Sequence, residues 1–185
     1  MAKGAHDDLA PSAWVTRFGA RARPGGAVLD VACGRGRHAR WFNSRGHPVD
    51  AVDRDAGALA ELAGLPGVTC RVADLEAGPW PYSGRRFAAV VVTNYLHRPL
   101  LPALLAALDP DGLLIYETFA DGNQAYGRPS NPDFLLRRGE LQDIVRGRLR
   151  VLGFEDGFVD VPRPAMVQRI CAMAGPAEPD PVAGV

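Results

Sequence analysis

Lysine is all but missing from this chain. Lys3 stands alone among 21 cationic side chains, the rest being arginine, and 21 acidic side chains balance them to a formal net charge of +0. A chain so balanced feels no general pull toward nucleic acid or an anionic membrane. Cysteine is scarce as well: Cys33, Cys70 and Cys171 are odd in number and far apart. They make neither a disulfide framework nor the Cys/His spacing of a zinc site, so no metal is expected, and the reducing cytoplasm is the simplest compartment for them. No apolar run approaches the roughly 20 residues of a membrane span. Met1 to His6 carries no apolar core of a secretory leader, so neither a membrane anchor nor export is expected.

What is present is an ordinary soluble composition, 47% hydrophobic and 23% charged over 185 residues. That length suits one domain, placed at 11–174, with a flexible N-terminus at 1–10 and a flexible proline-rich tail at 175–185. Within it, short β-branched runs alternate with helical stretches. Val28–Val31, Pro48–Asp53, Gly67–Asp74, Phe87–Val92 and Leu113–Glu117 read as strands. Pro11–Phe18 reads as a helix capped by Ser12, burying Trp14, Val15 and Phe18. Further helices are expected after the first Gly turn, over Arg54–Leu62, Leu100–Leu108 and Glu140–Arg146, with a turn at Asp109–Gly112. Arg150–Val159 and Val167–Met173 read as two last strands joined by a connection too short for a helix, hence antiparallel. The fold class is α/β: a Rossmann-like, doubly wound, mostly parallel seven-stranded sheet with an antiparallel last strand and helices on both faces.

The chain is organised around Val28 to Phe42, an apolar strand, a turn holding Gly34 and Gly36, then a helix. Glycines there allow φ > 0 and let a ligand approach the backbone, while the helix start favours an anion. Asp30, Asp53 and Asp74 follow or end the first three strands. In a doubly wound sheet, ligands sit at the carboxyl ends of the strands. Carboxylates gathered there suit a ligand rich in donors, and a nucleoside supplies them with its ribose hydroxyls and exocyclic amine.

Val28-Leu29-Asp30-Val31-Ala32-Cys33-Gly34-Arg35-Gly36 resembles the cofactor loop of class I S-adenosylmethionine-dependent methyltransferases. Ala51-Val52-Asp53 and Ala73-Asp74-Leu75 are similar to that family's ribose and adenine acids, and Asp30 to Arg40 is most similar to the small branch related to tellurite-resistance methyltransferases. The resemblance covers most of 12–174. One departure is Ala32, at a position where the family often has Gly. The resemblance implies S-adenosylmethionine as cofactor. Asp30, Ala32, Gly34 and Gly36 would cradle its methionine half, with Arg37 either at its carboxylate or at the surface. Asp53 would hold the ribose with Arg54 beside the adenine, Asp74 and Leu75 would bind the adenine edge, and Asn94 would lie near the methyl donor. Two other readings stay open. Gly34 to Ala39 also fits the G-x-G-x-x-G/A dinucleotide fingerprint of an NAD-type oxidoreductase, and a non-catalytic cofactor-binding module would keep the same pocket.

Methyl transfer needs an in-line nucleophile and, for a protonated one, a base. The catalytic candidates are Tyr95 and His97 after the fourth strand, and Glu117 and Arg128 at and after the fifth. Asn94-Tyr95-Leu96-His97 lacks the N-P-P-Y signature of amino-methylating nucleic-acid enzymes. With no concentrated basic track, a small-molecule acceptor is expected in place of DNA or RNA, and a monomer or homodimer is anticipated.

Overall fold

The computed structural model of the chain describes residues 10–175, so the flexible ends expected at 1–10 and 175–185 lie, but for Ala10 and Gly175, outside the described residues. The elements follow in the order α1 (Ala13–Gly19), β1 (Val28–Val31), α2 (Arg37–Asn43), β2 (Val49–Asp53), α3 (Ala56–Ala60), β3 (Val68–Val72) and β4 (Phe87–Thr93). Then come α4 (Leu101–Ala106), β5 (Leu108–Phe119), α5 (Glu140–Val145), β6 (Leu149–Val159) and β7 (Ala165–Ala174). The strands form one seven-stranded sheet in the order β3-β2-β1-β4-β5-β7-β6. β1 to β5 pair in parallel, while β7 runs antiparallel to both β5 and β6. The expected architecture is borne out.

Each face of the sheet carries its own apolar cluster, because strand residues alternate between faces. Val28, Ala51, Val91, Ile115 and Cys171 pack against Trp14, Val15, Phe18, Phe42 and Leu59 of α1, α2 and α3. Leu29, Val52, Val90, Leu114 and Ile170 pack against Leu104, Leu141 and Val145 of α4 and α5. These helices are short, and their buried faces supply stability that seven residues could not generate alone.

Local sequence sets the helix starts. Ser12 Oγ accepts from Trp14 N at 3.1 Å, the cap expected of it. Asp55 caps α3 by accepting from Gly57 N and Ala58 N, so that helix begins at Ala56 and leaves Arg54 outside it. Gly36 starts α2 at φ 74, and a Cβ there would collide with the Leu62 side chain. The turn expected at Asp109–Gly112 is instead a bulge inside β5: Phe87 pairs with Leu108 and Ala89 with Leu113, with Asp111 at φ 59.

The long connection after β5 is tied down. Arg98 donates Nε to Glu140 Oε1 at 2.7 Å, Nη1 to the Asp133 carbonyl and Nη2 to the Leu135 carbonyl, both at 2.8 Å. Asn123 Nδ2 donates to the Pro129 carbonyl at 2.9 Å.

Candidate functional site

At the carboxyl ends of β1 to β4 the chain leaves a hollow of about 360 Å³. The turn after β1 forms its floor through Ala32 and Gly34. Gly34 sits at φ 54 with open space where a side chain would be, so its backbone is bare to a ligand. Ala32, in place of the family's frequent glycine, still takes the left-handed conformation at φ 51. Asn94, on the opposite wall, does the same at φ 54. Two non-glycine residues held in this costly region beside one hollow fit strain kept for function.

β2 and β3 supply the acids. Asp53 accepts from Gly34 N at 2.7 Å through Oδ2 and from Asp55 N at 2.9 Å through Oδ1, so it clamps the turn to the next strand. Each oxygen keeps a second lone pair for a ligand hydroxyl. Asp74 Oδ1 accepts from Glu76 N at 2.9 Å and Ala77 N at 3.2 Å, and these two N–H groups hold its carboxyl below the usual carboxylate range. Arg54, Leu75 and Tyr95 complete the wall, with Asp55, Ala58, Ala73 and Glu76, which the sequence did not single out. The signal for Glu76 was the Asp-x-Glu turn in which Asp74 binds the backbone two residues on.

The remaining candidates lie elsewhere. Asp30 is not on the wall: alternation along β1 sets it on the face of Val28, where Oδ2 accepts from Ala39 N of α2 at 2.9 Å. It is 1% exposed, its Oδ1 has no partner among the described residues, and burial pushes its pKa up to about 7. The expected convergence of three aspartates is therefore corrected to two at the hollow and one fastening the turn from behind. Gly36 packs on Leu62 rather than facing the hollow. Arg37 Nη1 reaches the Ala10 carbonyl at 3.4 Å, and neither residue lines the wall.

Among the catalytic candidates, only Tyr95 lines the hollow. Its hydroxyl is buried without a partner among the described residues. Burial, then the nearby charges of Glu76 and Asp74, pushes its pKa up to about 12, so it stays protonated and is a donor, not a base. The carboxylates around it belong to the β3 end of the hollow, away from β5. His97 begins the turn before α4 with no capping bond from its ring, and Arg128 is exposed on the long connection. Glu117 stands beside the hollow, on β5: Asn94 N donates to its carbonyl at 2.9 Å, and its carboxylate pairs with Arg169 at 3.1 Å. Among the described residues, no group of His, Cys, Asp and Glu could hold a metal ion, and no helix is long and apolar enough to cross a membrane.

A Rossmann-like α/β sheet with a reversed strand beside its edge and a nucleoside-sized hollow at its switch point defines the class I methyltransferase fold. A family model described as a methyltransferase domain matches residues 28–112, just under half of the chain, and that stretch holds the hollow's wall. Solved structures agree in fold. TehB from Haemophilus influenzae is 15% identical with a TM-score of 0.71, the match covering 94% of this chain and 64% of that one. A TehB-like SAM-dependent methyltransferase from Corynebacterium glutamicum is 19% identical with a TM-score of 0.64, covering 88% of this chain and 87% of that one. The 1,6-didemethyltoxoflavin-N1-methyltransferase of Burkholderia thailandensis, solved with bound 1,6-didemethyltoxoflavin and S-adenosylhomocysteine, is 22% identical with a TM-score of 0.63, over 87% of this chain and 76% of that one. The chain thus spans just under two thirds of the first of these, at 64% of its length. No curated protein matches at the level of sequence.

Proposed function

We propose that the domain at 11–174 transfers the methyl group of S-adenosylmethionine to a small-molecule acceptor by in-line displacement. The observation that carries this reading is the pairing of Asp53 and Asp74 across one hollow floored by the bare backbone of Ala32 and Gly34. A ribose diol is suited to a carboxylate that accepts two donors, and an adenine edge to a second carboxylate next to an apolar wall. In this reading Asp53 holds the ribose, Arg54 flanks the adenine, Asp74 accepts from the exocyclic amine and Leu75 N–H donates to the ring. Ala32 and Gly34 cradle the methionine half, and Asn94 stands near the methyl donor. Asp30 and Gly36 act indirectly, by fixing the turn and the start of α2.

The cofactor supplies a sulfonium methyl that is already electrophilic, so the chain's work is placement, worth roughly 7–11 kcal/mol when the geometry is right. Tyr95 belongs to the cofactor wall as a donor. Glu117, beside Asn94, is the candidate that faces an acceptor, while His97 and Arg128 have no place on the wall. The free, partly or fully buried thiols of Cys33, Cys70 and Cys171 suit a cytoplasmic protein, working as a monomer or homodimer.

Calorimetry with S-adenosylmethionine and, separately, NAD tests the reading against its nearest rival. Binding of S-adenosylmethionine with no heat from NAD is the expected result. The reverse would return the chain to the oxidoreductase reading of its glycine fingerprint.

A further inference from the structure

One row of polar side chains crosses the sheet beside the hollow, and none of its four members lines that hollow. Thr93, Glu117, Arg169 and Glu155 are successive cross-strand partners on β4, β5, β7 and β6, so they project from one face. Two residues away toward the amino-terminal ends of the parallel strands, the same face holds Val91, Ile115 and, on the reversed β7, Cys171 of the α1-side core. The row therefore begins where that core ends, next to Asn94 of the hollow.

Its charges are arranged. Arg169 donates Nε to Glu155 at 2.8 Å and Nη1 to Glu117 Oε2 at 3.1 Å, and its guanidinium lies 5.3 Å from the Trp14 ring centroid. One arginine is thus spent on two carboxylates. Glu117 Oε1 has no partner among the described residues and is not sealed off, although the side chain is only 13% exposed. On the hollow side, His38 Nε2 accepts from Ser12 N at 3.1 Å, so the ring proton resides on Nδ1, 3.4 Å from Thr93 Oγ1. Burial drives the imidazole pKa down to about 3 and keeps it neutral. Thr93 is then the acceptor in that contact, and its own proton is free to be given away.

Thr93 and Glu117 are register partners on adjacent parallel strands, so their backbones stand about 5 Å apart and a carboxylate that accepts has a hydroxyl that donates as its neighbour. We infer that this row is the acceptor subsite and takes a neutral nitrogen nucleophile whose N–H meets Glu117 and whose neighbouring lone-pair heteroatom meets Thr93. The inference rests on the methyl-transfer reading. The excess of carboxylate over guanidinium repels anionic acceptors. In the reaction the nitrogen lone pair forms the new N–C bond as the S–C bond breaks, the electron pair leaving with sulfur. Positive charge passes from sulfur to nitrogen, where Glu117 stabilises it, and the surplus proton goes to water.

Ligand-observed saturation-transfer NMR on the full chain saturated with S-adenosylhomocysteine tests this, with 2-aminopyridine as the matched probe and salicylate as the anionic one. Transfer to 2-aminopyridine and none to salicylate is expected. Glu117→Gln and the near-isosteric Thr93→Val should each weaken 2-aminopyridine at least fivefold while S-adenosylhomocysteine affinity, by calorimetry, stays within twofold. Absence of transfer to 2-aminopyridine, equal transfer to salicylate, or indifference to both substitutions overturns the inference. Failure of the wild-type chain to bind S-adenosylhomocysteine overturns instead the methyl-transfer reading on which it rests.

Discussion

Tyr116 donates its phenolic hydrogen to the carbonyl oxygen of Tyr95 at 2.8 Å. Tyr116 is 1% exposed, and the carbonyl belongs to the turn in which Asn94 is held at φ 54. The buried hydroxyl on β5 thereby fixes the wall of the hollow that β4 presents. Tyr116→Phe keeps the ring and strands the carbonyl, a loss of about 1–3 kcal/mol. Thermal melts should show that destabilisation, and calorimetry a severalfold weaker affinity for S-adenosylhomocysteine. Unchanged affinity in the folded variant would mean the turn holds its shape unaided.

Asp30 makes stability depend on pH in an unusual direction. Its ordinary value of 3.8 is raised to about 7 in the fold, chiefly by burial, so the folded chain binds the proton more tightly than the unfolded one. The stabilisation this gives is complete below about pH 4, declines as pH rises and is gone above about 7. Asp30→Asn mimics the protonated form and retains the acceptor for Ala39 N. The variant should match the wild type at pH 4 and exceed it at pH 8, by roughly 1–4 kcal/mol at about 1.4 kcal/mol per pKa unit. Urea titrations at the two pH values read it directly. A constant difference between them would show that folding does not raise the Asp30 pKa.

His38 works the other way. Its ordinary value of 6.5 is lowered to about 3, first by burial and then by the Arg37 charge. The folded chain refuses a proton that the unfolded chain takes, so stability falls as pH drops from about 6.5 toward 3. Between pH 6.5 and 4 this trend and that of Asp30 oppose each other, which flattens the wild-type profile. His38→Gln should unfold more easily at pH 7.5, having lost its contacts to Ser12 and Thr93. Its deficit should shrink on acidification. A deficit that grows toward pH 4 would contradict a neutral imidazole.

Much of this was legible in the sequence wherever the code is local. β-branched runs marked the parallel strands, Ser12 marked a helix start, and Asp53 and Asp74 were placed by standing at strand ends. For Asp30 the signal misleads, because standing at the end of a strand does not say which way a side chain faces. The docking of α2 beneath β1 decides that, and it turns the carboxylate to Ala39 N. The Asp109–Gly112 turn became a bulge because the β4 partner continues past it on both sides. Tyr95 was placed by its position after β4, but its neighbours Glu76 and Asp74 come from another strand. In the row from Thr93 to Glu155 only Glu117 carried a local signal, its place at the end of the fifth strand, and nothing in the sequence joined it to the other three. Arg169 and Glu117 lie 52 residues apart and meet only through the antiparallel register of β7.

The most direct measurement is the affinity of S-adenosylhomocysteine for Asp53→Ala against wild type, by calorimetry, with a thermal melt to confirm folding. Asp53 binds Gly34 N and Asp55 N in the free protein and would bind the ribose in the complex. The expected loss is at least tenfold, or about 1.4 kcal/mol. Equal affinity in a folded variant would contradict the claim that this carboxylate, at the end of β2, is what makes the hollow a nucleoside site.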